Sequence, residues 1–268
     1  MKEGSVDLLK YPEYIGKAFR KRVAGFLYGL GFFFQVLKES LLFFKRGQVG
    51  YKVLILQILF TGVEALTIIA LIALALGIVI IIQGLTLLPQ FGQGNLLYGI
   101  IITIITRELG PILTAFIVTA RSGTAIATEI GGMVVSHEIE AYLATGINPI
   151  SYLVVPRFVG MVVSVFLLNI YFNLFGLGGS FLVTQLFNPI SVYEYGMGIL
   201  STLTLKDLIS SAVKSIAFGT IISVTASFHG FRVTHSTTEI PQVAIKAVGQ
   251  SFTLCILVNA VITLIYYI

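Results

Sequence analysis

The chain of 268 residues is poor in charge, since only 11% of it is Asp, Glu, Lys or Arg, against roughly 25% in soluble domains. Its hydrophobic content of 56% is more than a soluble fold of this length could bury, so we predict an integral membrane protein. The single cysteine, Cys255, excludes a disulfide within the chain, and three scattered histidines offer no metal site. The pattern G-x-x-x-x-G-K-[ST] is absent too, so any ATP that drives this protein must be bound by another chain.

The basic residues are gathered near the start of the chain. Ten of the 17 Lys and Arg occur at or before Lys52, beside apolar stretches. That distribution favours contact with anionic lipid head groups rather than nucleic acid. Apolar residues recur at three- and four-residue steps through 19–34, with basic residues on the other side. We predict an amphipathic helix lying in the membrane interface, within a basic cytoplasmic-side segment over 1–61.

Five apolar stretches are long enough to cross a membrane, which takes about 20 residues for roughly 30 Å of hydrocarbon. They predict an all-α, polytopic membrane protein whose transmembrane domain covers 62–268. Glycines at 176–179 predict a bend in the third span. The predicted spans cover about 62–83, 96–120, 150–184, 208–230 and 245–268.

Five spans place the two termini on opposite sides of the membrane. With the N-terminus in the cytoplasm, the inner segments contain 14 Lys and Arg and the outer segments contain 2. The positive-inside rule therefore predicts a cytoplasmic N-terminus and a C-terminus on the outer side.

An adjacent cation and anion, Arg107 and Glu108, interrupt the apolar sequence of the second span. No charged residue occurs among the 42 residues before them or the 12 after them. Ionisable residues at membrane depth are costly and suggest a functional site. Because Gly110 and Pro111 weaken the helix at the same place, we interpret this run as a charged hinge, about two helical turns from the inner connection that follows.

Neighbouring residues on a helix point about 100° apart, so we expect Arg107 and Glu108 to have different partners, with Arg121 and Glu129 as candidates. Three interpretations stay open. The pair can stabilise a bend that changes during transport, with Arg107 able to hold a lipid phosphate. Glu108 can relay protons, or the pair can simply fix helix register.

The connection between spans two and three contains a stripe of small residues. Gly123, Ala127 and Gly131 recur every four residues and would share one helix face. Such a stripe lets another backbone approach closely, so we predict helix packing there.

A short helix is predicted at 136–146. Ser136 can cap it, Glu138 and Glu140 favour its positive end, and Gly146 stops it. Such a helix can dock a soluble partner, or it can merely link two spans. Its candidate contact residues are Ser136, His137, Glu138, Ile139, Glu140, Tyr142 and Leu143.

Six short blocks within 107–157, taken together in order and spacing, resemble the MlaE/YrbE permease family. The short helix departs conservatively from the family's usual Thr-Glu-Gln-Ile-Asp-Ala-Leu pattern. The blocks are Arg107-Glu-Leu-Gly-Pro111, Ala120-Arg-Ser-Gly123, Thr128-Glu-Ile-Gly-Gly-Met133, His137-Glu-Ile-Glu-Ala141, Asn148-Pro149 and Leu153-Val-Val-Pro-Arg157.

This resemblance implies a non-catalytic permease subunit of an ABC transporter that moves phospholipid or a related lipid between membranes. It places the permease in a bacterial inner membrane. It implies a homodimer with two cytoplasmic P-loop ATPase subunits, which would bind ATP and Mg. It also implies an outer-side MCE-domain lipid-binding protein and often a STAS-domain protein. By the same resemblance, 136–146 would be the coupling helix that sits on the ATPase.

Two other classes stay open from the residues alone. One is an ion-coupled secondary transporter or channel that uses Arg107 and Glu108 as an intramembrane relay. The other is a membrane scaffold that only anchors partners.

Overall fold

A computed structural model describes residues 20, 25, 27–42, 51–87, 97–187, 191–234 and 236–268. Throughout these ranges every regular element is a helix, which confirms the predicted all-α class. The helices are α1 (27–42), α2 (Tyr51–Gly62), α3 (Leu66–Leu87), α4 (Leu97–Ile101), α5 (Gly110–Val118), α6 (Thr124–Val135), α7 (Glu138–Ala144), α8 (Val155–Phe187), α9 (Val192–Thr202), α10 (Leu205–Gly230) and α11 (Glu239–Tyr267).

Several of these helices join end to end through turns of different pitch. A 3₁₀ turn at Val63–Ala65 links α2 to α3, and π-helical segments at Ile102–Leu109 and Thr119–Gly123 link α4, α5 and α6. A third π-helical segment, Ile150–Val154, leads into α8. The five resulting stretches long and apolar enough to span a membrane confirm the predicted number. They are Lys52–Leu87, Leu97–Val135, Ile150–Leu186, Leu205–Gly230 and Glu239–Tyr267.

Two span boundaries differ from the sequence-based prediction. The first helix begins at Tyr51 rather than near 62, although the division between an interfacial segment and a permease domain stays a prediction. The second continues to Val135 instead of ending near 120. No proline follows Pro111 in this stretch, and Gly123 lies in a π-helical turn that continues the helix instead of ending it.

The glycines at 176–179 serve close packing within a continuous α8. A Cβ on Gly179 would lie 2.8 Å from the Leu74 carbonyl oxygen, and one on Gly77 would overlap the Gly176 carbonyl. Because α3 and α8 approach here backbone to backbone, small residues are needed on both helices. The glycines therefore serve a close helix contact, and a bend at this place stays a prediction.

The core lies between α3, α8 and α10, where Ile69, Phe172 and Phe218 are fully buried. α11 is the least covered span, with 11% of its apolar stretch buried against 67% for the third span. One apolar face of α11 therefore remains outside the bundle formed by a single chain.

Two helices mark the opposite ends of the bundle. At one end α9 packs on α4, where the Tyr195 ring lies 5.9 Å from that of Tyr98. Burial raises the pKa of the Tyr195 phenol, whose oxygen lies 2.5 Å from the Ser180 hydroxyl. At the other end α1 packs through Val36, and its Glu39 accepts a 2.5 Å hydrogen bond from Ser151.

The amphipathic character predicted for 19–34 is only partly open to comparison. α1 has a buried side around Val36 and an exposed side that includes Tyr28 and Phe34. The predicted basic residues Lys17, Lys21 and Arg22 lie outside the described residues.

Candidate functional site

The second span changes pitch where its charges occur. The Gly110 N–H closes the π-helical segment by donating to the carbonyl five residues earlier. Pro111 follows in the first turn of α5 and has no N–H to donate to the Arg107 carbonyl four residues before it. Lys214 of α10 donates to that carbonyl, with Nζ at 3.0 Å. The proline thus leaves an acceptor that a cation from another span uses.

Lys214 is the most deeply buried charge of this region, with a side-chain exposure of 0%. Besides the Arg107 carbonyl, its Nζ donates to Glu108 Oε2 at 2.8 Å and to Thr263 Oγ1 at 2.9 Å. An ammonium group has three hydrogens, and all three have an acceptor here. A buried charge is tolerated when it is paired in this way.

Glu108 receives donors from two neighbouring helices. Its carboxylate lies against Lys214 of α10, and from α11 it accepts hydrogen bonds from Thr263 Oγ1 at 3.2 Å and Asn259 Nδ2 at 3.3 Å. The Arg107 Nε lies 3.7 Å from the other carboxylate oxygen. The ammonium group is therefore the closest of its ionic partners.

Arg107 turns to a different set of groups at the same level. Its Nη1 lies 3.5 Å from Asp207 Oδ1, and its Nη2 donates to the Tyr267 hydroxyl at 2.6 Å. The guanidinium also lies over the Tyr266 ring, 4.6 Å from the centroid. These contacts enclose the cation between a carboxylate and two aromatic faces.

Asp207 combines a local and a long-range role. Its Oδ2 accepts from the Thr204 N–H at 3.0 Å and the Thr204 hydroxyl at 2.6 Å, which closes a capping box at the start of α10. Its Oδ1 accepts from the Tyr266 hydroxyl at 2.9 Å and faces Arg107. The helix cap thereby fixes the anion that Arg107 meets.

We call Arg107, Glu108, Asp207 and Lys214 the charge cluster. Two cations and two anions balance each other, and the hydrogen bonds tie the second, fourth and fifth spans together. A lipid phosphate that approached Arg107 would have to compete with Asp207 and Tyr267. The arrangement is suited to joining three spans at low electrostatic cost.

The expectation that Arg107 and Glu108 have different partners agrees with these contacts, but the candidate partners were wrong. Arg121 pairs with Glu64, and its Nη1 lies 3.4 Å from the Phe60 carbonyl oxygen. Glu129 accepts a 2.6 Å hydrogen bond from Arg157 Nη2. These candidates lie too far along the helix, since the 14 residues from Arg107 to Arg121 span roughly 21 Å at about 1.5 Å per residue. Glu129 lies farther still.

The expected place of the cluster was also wrong. It lies at the end of the bundle where α10 begins and α11 ends, because Asp207 and Tyr267 are close to those helix termini. α7 follows the far end of α6, beyond Val135. The 27 residues from Glu108 to Val135 span about 40 Å of helix, whereas about two turns separate the charged run from the inner connection in the sequence-based prediction.

Lys214, Asp207 and the two terminal tyrosines were missed from the sequence. A signal for Asp207 was present, since Thr204 three residues before it forms a capping-box pattern. Lys214 lies seven residues after Asp207 and therefore on the same helix face. Nothing in their spacing from Arg107 shows that α10 faces the second span.

The small-residue stripe lies where neighbouring chain segments approach closely. A Cβ on Gly131 would lie 2.9 Å from Val233 Cγ2, and one on Gly123 would lie 3.3 Å from Ile222 Cγ2. Ala127 is fully buried, and its carbonyl oxygen would be 3.1 Å from a Cβ on Gly230. The stripe packs within a continuous helix, whereas the sequence-based prediction assigns it to a connection between spans.

The short predicted helix forms as α7, which has seven residues. Gly146 ends it with φ 77°, its N–H donates to the Leu143 carbonyl at 3.0 Å, and the Ile147 N–H donates to the Tyr142 carbonyl at 2.9 Å. These two bonds form a Schellman motif. The predicted stop at Gly146 is therefore confirmed.

The start of α7 differs from the expectation that Ser136 caps it. Ser136 ends α6, and its hydroxyl lies 3.0 Å from the Gly132 carbonyl oxygen and 2.9 Å from Glu138 Oε1. His137 takes the N-cap position with φ 60° and no side-chain cap bond. Its Nδ1 lies 3.0 Å from Glu140 Oε2. An acidic partner thus fixes the ring beside a left-handed turn.

Among the described residues, most of the surface of α7 is exposed, while Ile139 and Tyr142 are partly buried. None of its residues is buried, and Leu143 is largely exposed. The Tyr142 ring contacts that of Tyr152 across the turn into α8, with centroids 5.4 Å apart. A groove beside α7, of about 330 Å³, is lined by Glu138, Ala141, Tyr142, Thr145 and Ile147. The helix projects from the bundle with its carboxylates and apolar side chains available.

These features define a class of protein. Five long apolar helices, a balanced set of buried charges between three of them and a projecting short helix at one end describe a multi-pass α-helical membrane protein of the permease type.

Comparison with known proteins identifies the family. Residues 54–265 match the family described as Permease MlaE. A probable ABC transporter permease protein of Rickettsia typhi is 30% identical over 77% of this chain and 80% of its own length. The intermembrane phospholipid transport system permease protein MlaE of Haemophilus influenzae is 25% identical over 93% of this chain and 96% of its own. The chain belongs to the MlaE permease family, which confirms the resemblance seen in the sequence.

A plant protein is also similar to this chain. The chloroplastic protein TRIGALACTOSYLDIACYLGLYCEROL 1 of Arabidopsis thaliana is 27% identical over 81% of this chain and 59% of its own length.

Proposed function

We propose that this chain is the permease subunit of an ABC transporter that moves phospholipid, or a related lipid, between membranes. Membership of the MlaE family supports it, as does the name of the Haemophilus influenzae relative, a permease of intermembrane phospholipid transport. The structural observation that carries the proposal is α7, a short helix at one end of the bundle with no buried residue.

A separate ATPase would dock on α7. Glu138 and Glu140 supply negative charge, while Ile139, Tyr142 and Leu143 supply apolar contact. We place ATP and Mg on that partner and assign no cofactor and no catalysis to this chain. By the positive-inside count, α7 lies on the cytoplasmic side of a bacterial inner membrane, with the N-terminus inside and the C-terminus outside.

A second copy of the chain would cover α11. Its exposed face carries Gly249, Thr253 and Ala260 between larger apolar residues, and a Cβ on Gly249 would meet no atom within 4 Å. Small residues on an exposed membrane helix favour close packing with another helix. We therefore propose a homodimer, with an MCE-domain protein on the outer side and, as a further partner, a STAS-domain protein.

The ion-coupled alternative has less support. A relay needs a group that can release its proton, whereas Glu108 is held by Lys214, Thr263 and Asn259, and every charge of the cluster has a counter-charge. The balanced cluster favours a structural joint between spans.

Co-purification with the ATPase and vesicle transfer test the proposal. The chain is co-expressed with a candidate P-loop ATPase from the same organism, and fluorescent phospholipid movement is followed in vesicles with ATP. We expect ATP-dependent transfer and a stable complex, and Glu138→Lys with Glu140→Lys should release the ATPase while leaving membrane insertion intact. Transfer driven by a proton gradient without any ATPase would overturn the proposal, and unchanged co-purification of the double variant would overturn the docking role of α7.

A further inference from the structure

In the described part of the chain, α7 contacts chiefly the segments that flank it. None of its residues is buried, and its ring contact, Tyr142 with Tyr152, is made to the segment that follows it, so these flanking segments largely set its direction. α6 ends at Val135 immediately before it, and the π-helical segment Ile150–Val154 begins shortly after it. Whatever ties these two stems together determines how α7 is presented.

One buried cation ties the stems together. Arg157, in the first turn of α8, has 6% of its side chain exposed. Its Nη2 donates to Glu129 Oε1 of α6 at 2.6 Å, and its Nη1 donates to the Leu153 carbonyl at 2.7 Å. The same guanidinium therefore holds the neighbouring helix and the π-helical turn that leads out of α7.

The two partners differ in how firmly they are held. Glu129 has 51% of its side chain exposed, so its carboxylate is anchored chiefly by Arg157. Arg157 is enclosed, and removing its counter-charge would leave a buried cation without an anion. A planar guanidinium that makes two bonds in fixed directions also orients its partners more strictly than an ammonium would.

We propose that Arg157 and Glu129 are positioning residues for coupling: they clamp the stems of α7 so that α7 and the second and third spans move as one body. The proposal rests on the proposed function, in which a partner ATPase moves α7. Without the clamp, the stems would bend independently, and ATP hydrolysis would continue with less lipid moved per ATP. This role is separate from contact with the ATPase, which α7 itself would make.

The first test measures the position of α7 in the isolated permease. Spin labels are placed at Ala144→Cys on α7 and Ser201→Cys on α9, in a Cys255→Ala background. We expect Glu129→Gln and Arg157→Gln to broaden the distance distribution between the labels. Glu194→Gln makes the same carboxylate-to-amide change at the opposite end of the bundle and should leave it unchanged. An unchanged distribution in Glu129→Gln, which alters a half-exposed side chain, would overturn the clamp whatever the ATPase assay shows.

The second test measures coupling in the reconstituted complex as phospholipid transferred per ATP hydrolysed. We expect Arg157→Gln and Glu129→Gln to lower this ratio at least about fivefold, the low end of typical coupling between sites, with ATPase co-purification unchanged. The exchange Glu129→Arg with Arg157→Glu should restore part of it. If the variants transfer a normal amount of phospholipid per ATP although the spin-label distances are broadened, the pair has only a structural role. That outcome would overturn the positioning role. Failure of the unaltered chain to bind any ATPase would instead refute the proposed function, and the label distances would still decide the clamp.

Discussion

The two ends of the bundle handle charge in opposite ways. At the end near α9, the cluster of Arg107, Glu108, Asp207 and Lys214 is enclosed by partners from three spans. Toward the α7 end, Arg121 and Arg157 each have one carboxylate partner, and those partners, Glu64 and Glu129, are more than half exposed. The difference indicates a joint with many enclosed partners at one end and single ion pairs with half-exposed carboxylates at the other.

The largest effect should come from Lys214→Met in the charge cluster. This change leaves Glu108 without its closest cation, and breaking a buried pair by removing one partner costs about 3–5 kcal/mol. Thermal unfolding of the purified protein in detergent should show a large loss of stability. Lys206→Met, an exposed lysine on the same helix, should have little effect. Equal stability of the two variants would refute the joint at the charge cluster.

A double-variant cycle should show that Arg107 belongs chiefly with Asp207. We expect Arg107→Leu to be strongly destabilising and Arg107→Leu with Asp207→Asn to recover about 0.5–3 kcal/mol, the usual coupling of contacting residues. Asn at 207, the third residue of α10, keeps one side-chain oxygen that can accept from the N–H of the N-cap residue Thr204. If Arg107 paired chiefly with Glu108, Glu108→Gln would be the better rescue of Arg107→Leu. The contacts argue against that outcome, because removing those two charges together would leave Asp207 and Lys214 without their ionic partners. If Glu108→Gln rescues Arg107→Leu better than Asp207→Asn does, the assignment is wrong.

At the α7 end, the close packing of small residues should contribute to stability. Gly131→Ala would bring a Cβ to 2.9 Å from Val233 Cγ2, so we expect a loss of about 1–3 kcal/mol from overpacking. Gly132→Ala is the matched control, since a Cβ there meets nothing within 4 Å. Thermal unfolding of both variants measures the difference. If Gly131→Ala does not lower the stability, the segment around Val233 moves aside at no cost, and close packing at Gly131 does not limit stability.

The smallest effect should come from Glu64→Gln. Its side chain is 56% exposed, and pairs of this kind contribute about 0–1 kcal/mol. We expect a small change in unfolding temperature, far below that of Glu108→Gln, which makes the same chemical change inside the cluster. Comparable losses in the two variants would mean that the ends of the bundle do not differ in the way their charges are held.

The sequence went furthest where local signals decide the structure. Apolar length predicted five spans, and Gly146 predicted the end of α7, because a left-handed turn there favours glycine. Local signals misled where an element continued through a weak breaker. The second span is predicted to end near 120, yet the helix passes through Gly123 in a π-helical turn.

The candidate site was only half visible in the sequence. Arg107 and Glu108 stood out because charges are rare within apolar stretches. Their partners Asp207 and Lys214 are about 100 residues away and carry ordinary signals of their own, a helix cap and an apparently peripheral lysine. Arg157 appeared only as part of a family-like block, with no indication that it meets Glu129.

The sequence by itself determined that this protein is helical, crosses a membrane and belongs to the MlaE family, since hydrophobic length and local motifs act within one stretch of chain. Only the tertiary structure decided which charges meet. Partner choice depends on which helix faces are opposed and at what height, and each helix can be rotated or shifted without altering its own hydrophobic pattern. The packing of α10 and α11 on the second span converts four separately costly charges into one balanced joint.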